Sequence, residues 1–126
     1  MDNSLYGPKS REGAWLWFIK VITGLLLIVI LFIHLIVNHF VATNGLLSYA
    51  DVVRYYQHPI IPIMEIGLVA FAVSHSLIGL RGIILDLKPT QAVINVINWL
   101  FTIIGVAAVI YGIWLILTII SKGAGS

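Results

Sequence analysis

A histidine inside an apolar stretch is the feature with the clearest chemical potential. Ser74-His75-Ser76-Leu77-Ile78-Gly79-Leu80-Arg81-Gly82-Ile83-Ile84-Leu85-Asp86 sets an imidazole in a hydrophobic segment and follows it with two glycines and a carboxylate. Read as a helix turning about 100° per residue, Gly79 lies roughly 40° from His75, and Gly82 and Asp86 each roughly 20°. The four share one stripe, and the glycines clear it of side chains. An imidazole there can ligate a metal, and the cleared surface beside it suits a bulky, flat partner.

His34 is a second such group. Lys20, Thr23 and Asn38 lie within about 40° of it around the same helix, whereas His39 lies about 140° away. A polar stripe inside a membrane helix faces protein or a cofactor rather than lipid. Counted from the shared outer surface near Phe40 and Ile60, His34 lies about 9 Å deep and His75 about 22 Å, at roughly 1.5 Å per residue. Axial nitrogens of one iron face each other across about 4 Å. The two histidines therefore cannot share one haem. If both are ligands, two haems sit at two heights, and each takes its other ligand from another chain. Iron with imidazole on both faces has no open position, which suits electron transfer. The plainer reading of either histidine is a hydrogen bond to a neighbouring helix.

The elements that must hold these residues are legible in the composition. The 126 residues are 60% hydrophobic and 10% charged, too little polar surface to coat a soluble domain. Apolar runs from Ala14 to Val41, Ile60 to Leu85 and Ala92 to Ile120 each exceed the roughly 20 residues that cross a hydrocarbon core. The sequence therefore predicts an all-α membrane protein, one transmembrane domain over 1–126 with helices at about 14–41, 60–86 and 92–121. The first run is too long for a signal-peptide core and lacks a small-x-small cleavage site. No cysteine is present, which excludes disulfides and thiolate-held clusters in this chain. The basic residues are scattered at membrane edges and form no run, so nucleic acid is not an expected partner.

Lys9, Arg11, Lys20, Arg81 and Lys88 lie on one side, against Arg54 and Lys122 on the other, which predicts a cytoplasmic N-terminus. Trp15 and Trp17 suit that interface. The polar tail 1–13 is expected to be irregular, Asn44-Gly45 to turn, and Ser48 to Gln57 to form a short surface helix. Pro59 and Pro62 suit the first turn of the second span. The third span has no histidine and reads as a packing helix, with Lys122 to Ser126 frayed.

These residues resemble a family. His75-x-x-x-Gly79 with Asp86 resembles helix two of the membrane-anchor, cytochrome b subunits of succinate dehydrogenase and fumarate reductase, where the histidine is an axial haem b ligand. His34-Leu35-Ile36-Val37-Asn38-His39-Phe40 resembles the end of helix one in the two-haem members, where the histidine ligates the outer haem. The spacing of 41 residues between His34 and His75 fits as well. The likeness covers roughly 15–88. Leu87 stands where one-haem anchors often carry a quinone-contacting tyrosine, and Lys20 and Thr23 stand where many carry a Ser/Arg pair.

The resemblance implies a multi-pass subunit of the plasma (inner) membrane in a multi-subunit haem-binding helix bundle. It implies two haem b groups shared with a second membrane-anchor subunit, a quinone, and lipid around the bundle. A flavoprotein and an iron–sulfur subunit would dock on the cytoplasmic face. The chain would help form the quinone site or only support it, with no catalytic residue of its own. His75 and His34 are the expected iron ligands, with Gly79, Gly82, Thr23 and Asn38 beside the haems. Lys20 and Arg81 either neutralise propionates, guide quinone, or are ordinary edge charges. Glu65 either passes protons or is solvated at a helix end. His39 and His58 read as interfacial, and Asp86 as a helix cap or a contact for the soluble subunits. Two alternatives remain open: a diheme cytochrome b of another quinone-reactive dehydrogenase, and a haem-free structural membrane subunit whose histidines only hydrogen-bond.

Overall fold

The computed structural model describes residues 13–41 and 48–125, which form helices and, among those residues, no strand. α1 spans Ala14–Ile36 and passes into a π-helical segment, Val37–Val41. α2 spans Tyr49–Tyr55, α3 Ile60–Asp86 and α4 Gln91–Ala124. Residues 1–12 of the expected 1–13 tail and the Asn44-Gly45 turn lie outside the described residues. Among the described residues, three helical stretches are long and apolar enough to cross a membrane: Ala14–Phe40, Ile60–Asp86 and Gln91–Ala124.

Local chemistry sets the ends. Ser48 and Asp51 form a capping box at α2, the Ser48 Oγ accepting from the Asp51 N–H at 3.2 Å and the Asp51 carboxylate accepting from the Ser48 N–H at 3.0 Å. Two orphan donors are thereby satisfied, and the short helix starts where the serine stands. Pro59 caps α3, and Pro62 follows within its first turn, where a missing N–H is tolerated. α3 ends at Asp86, Lys88 turns the chain with a φ of 53°, and Thr90 caps α4 by accepting from the Val93 N–H.

α3 is the central helix, packed on α1 along one face and on α4 along another. Glycines set the second contact. A Cβ on Gly105 would meet Leu77 Cδ1 at 2.9 Å, and one on Gly112 would meet Val69 Cγ1 at 2.9 Å. Gly105 and Gly112, separated by about two turns, present one face of α4 on which branched α3 side chains rest. Few of the described residues are buried: Ile61, Pro62, Leu85, Ile94 and Ile116 among the apolar ones. Phe40, Ile63 and Trp99 are largely exposed, as expected for surfaces that meet lipid or other subunits.

The C-terminal end differs from expectation. Helix α4 continues through Lys122 to Ala124 rather than fraying. Gln57 holds it there, donating to the Ile120 carbonyl at 3.2 Å. Its side chain lies so close to Gly123 that any Cβ at that position would displace it. The surface segment after α2 thus grips the last turns of α4.

Candidate functional site

Two imidazoles lie between α1 and α3, at opposite ends of the contact. Glu65 and His75 are ten residues apart on α3, which separates the two sites by roughly 15 Å along the helix.

At the first site the His75 ring rests on α1. Its Nδ1 lies 3.0 Å from the Lys20 carbonyl oxygen and 3.3 Å from Thr23 Oγ1. The carbonyl can only accept, so Nδ1 carries the proton and donates. The Thr23 hydroxyl spends its own proton on the Ile19 carbonyl, 2.7 Å away, and presents its lone pairs to the imidazole. In the neutral ring Nε2 therefore bears the free lone pair, and among the described residues it has no hydrogen-bond partner. Gly24 makes this seating possible: a Cβ there would meet His75 Cε1 at 2.9 Å and Nδ1 at 3.4 Å. Farther along the stripe, a Cβ on Gly79 would have no neighbour within 4 Å. Gly82 is half-buried one turn beyond.

At the second site both ring nitrogens of His34 are engaged. Nδ1 lies 2.8 Å from Glu65 Oε1, and Nε2 lies 3.0 Å from Asn38 Nδ2. The Tyr55 hydroxyl donates to Asn38 Oδ1, which turns the amide nitrogen toward the ring. The proton order follows: tyrosine to amide oxygen, amide nitrogen to Nε2, and Nδ1–H to the carboxylate. Glu65 is buried, 9% exposed, and not a solvated helix end. Burial also pushes up the phenols beside this chain. Tyr55 is raised, and Tyr56 rises to about 12, first through burial and then through the nearby Glu65 carboxylate. Both remain neutral at physiological pH.

The structure thus gathers Lys20, Thr23 and His75 at one site and His34 and Asn38 at the other. Arg81 belongs to neither. It lies about 120° from His75 around α3, and its Nε donates to Asn98 Oδ1 at 2.7 Å. His39 and His58 are exposed, as is Asp86 at the end of α3. Sequence reasoning missed Gly24, Tyr55 and the His34–Glu65 pair. Matched depth was an available signal for the pair, since Glu65 lies about 8 Å from the outer end of α3 and His34 about 9 Å from that of α1.

Comparison with known proteins decides the family. The profile described as succinate dehydrogenase/fumarate reductase transmembrane subunit matches residues 2–114. The chain belongs to this family. It is 34% identical over 112 residues to the succinate dehydrogenase hydrophobic membrane anchor subunit of Archaeoglobus fulgidus, covering 88% of this chain and 94% of that one. It is 32% identical over 78 residues to the succinate dehydrogenase 2 membrane subunit of Mycobacterium tuberculosis, covering 62% of this chain and 57% of that one. No solved structure matches it. As a membrane anchor subunit, the chain is a multi-pass protein that associates with the other subunits of its complex.

Proposed function

We propose that this anchor subunit binds haem b through His75 Nε2 and carries electrons from the iron–sulfur subunit to membrane quinone. A single observation carries the reading: the His75 Nδ1–H is fixed by the Lys20 carbonyl, 3.0 Å away, which leaves the lone pair on Nε2. Metal-bound imidazoles are oriented in this way, the second ring nitrogen donating to a carbonyl or carboxylate. The residues fit the group. Thr23 backs the same hydrogen bond, Gly24 lets the ring lie close to α1, and the open surface at Gly79 leaves room along the stripe. Bound there, the haem supplies one-electron transfer. The chain's own part is to hold the ring in one tautomer and to keep the stripe clear. Any second histidine for the haem would have to come from a second anchor subunit, since α4 contains none and His34 lies at the other end of the α1–α3 contact.

A second haem at His34 would use the same device, with Glu65 in place of the carbonyl. It would require the Asn38 amide to leave Nε2, where it now donates at 3.0 Å. The His34 site is therefore read first as a polar link between α1, α2 and α3, and as a haem site only with that rearrangement. The charge bias supports a cytoplasmic N-terminus, with the soluble subunits docked over 1–20 and 80–92.

The test is haem content and difference spectra of the purified complex. His75→Ala should remove a b-type signal while the soluble subunits still oxidise succinate with an artificial acceptor. Unchanged haem per complex would overturn the assignment.

A further inference from the structure

We propose that the groove between α3 and α4 binds an anionic phospholipid, with its phosphate on the Arg81 guanidinium and one acyl chain along α4. The groove has a volume of about 590 Å³ and a wall that is apolar over most of its length, including Leu77, Phe101, Val106 and Ile110. Its polar end is formed by Arg81 and Asn98.

Charge selects the headgroup. Arginine stays protonated under all relevant conditions and offers five N–H donors. Asn98 takes one of them, at Nε, and contributes no charge. Nη1 is buried and, among the described residues, has no hydrogen-bond partner. A half-buried guanidinium with one nitrogen shielded and unpaired calls for an anion that accepts in a forked geometry, which a phosphate does. A quinone head would bring a carbonyl acceptor and no compensating charge.

Length selects the tail. From Asn98 to Ile110 the groove follows α4 for roughly 18 Å. One leaflet of hydrocarbon is about 15 Å deep, half of a core of about 30 Å. The trough thus matches one acyl chain entering from the side on which α1 begins and α3 ends. It lies on a different face of α3 from the His75 stripe, so this inference is independent of the haem reading.

The experiment reconstitutes the purified complex, carrying the full chain, in phosphatidylcholine nanodiscs doped with phosphatidylglycerol. Native mass spectrometry then reads the lipids retained after detergent exchange. The wild type should keep phosphatidylglycerol in preference to phosphatidylcholine. Arg81→Gln should lose it and Arg81→Lys should retain part of it. Thr102→Phe, which fills the trough and leaves the charge in place, should lose it too while the complex stays assembled. Equal retention of phosphatidylglycerol by Arg81→Gln and wild type would overturn the proposal. So would equal retention of both lipids by the wild type, or loss of quinone instead of lipid in the variant.

Discussion

Replacing Gly24 with alanine is the sharpest perturbation of the His75 seat. The added Cβ would stand 2.9 Å from His75 Cε1, 3.4 Å from Nδ1 and 3.7 Å from Nε2. Comfortable carbon contacts begin near 3.5 Å, so the ring must retreat by roughly 0.6 Å or more. The Nδ1–H bond to the Lys20 carbonyl, now 3.0 Å, then stretches beyond the usual range of about 2.7–3.2 Å. Overpacking of this kind costs about 1–3 kcal/mol. Alanine returns up to about 1 kcal/mol of helix propensity relative to glycine, so global stability is a blunt readout. Haem affinity is the sharp one, since disturbing the group that orients a metal-ligating histidine typically costs roughly 10–100-fold. The assay is haem per complex, with the reduced-minus-oxidised spectrum, during dilution in detergent. Gly67→Ala is the packing control, because it lies off the His75 stripe and its Cβ would meet its nearest neighbours, Ile30 Cδ1 and Phe71 Cε2, only at 3.8 and 4.0 Å. Gly24→Ala retaining wild-type haem content, spectrum and affinity would refute the reasoning that this close contact seats the ligand.

Glu65→Leu leaves the His34 Nδ1–H facing an apolar neighbour, a loss of about 1–3 kcal/mol. The thermal midpoint of the complex should fall, and Glu65→Gln, which keeps an acceptor, should recover much of the loss. Alkaline titration followed by phenolate absorbance should find Tyr56 ionising at about 12, with Tyr55 also above its ordinary value of 10.0. The sign is set by linkage: the fold holds these protons more tightly than the unfolded chain does. Their contribution is therefore complete below the unfolded value and declines as pH climbs from there toward 12.

The sequence carried the three spans because apolar run length alone determines them, and it grouped Lys20, Thr23, Asn38 and His34 because helical periodicity does. Facing between helices was harder to read. Thr23 and Lys20 share a stripe with His34, yet they serve His75, because α1 is long enough to meet α3 at two depths with the same face. Gly24 passed unnoticed, since a glycine in an apolar helix carries no mark of which ring will rest on it. Tyr55 lies in a segment legible only as a short surface helix, and its role emerges when α2 folds back and brings its hydroxyl to Asn38. The hold of Gln57 on the end of α4 likewise joins residues 63 apart, which no local signal connects.

The central claim is that His75 presents Nε2 as a haem ligand, and the direct measurement is the b-type haem stoichiometry of the purified complex with and without that imidazole. The wild-type complex should contain b-type haem and His75→Ala should lose one b-type signal, with the soluble subunits still oxidising succinate. A wild-type complex without haem, or a His75→Ala complex with its full complement, would contradict it.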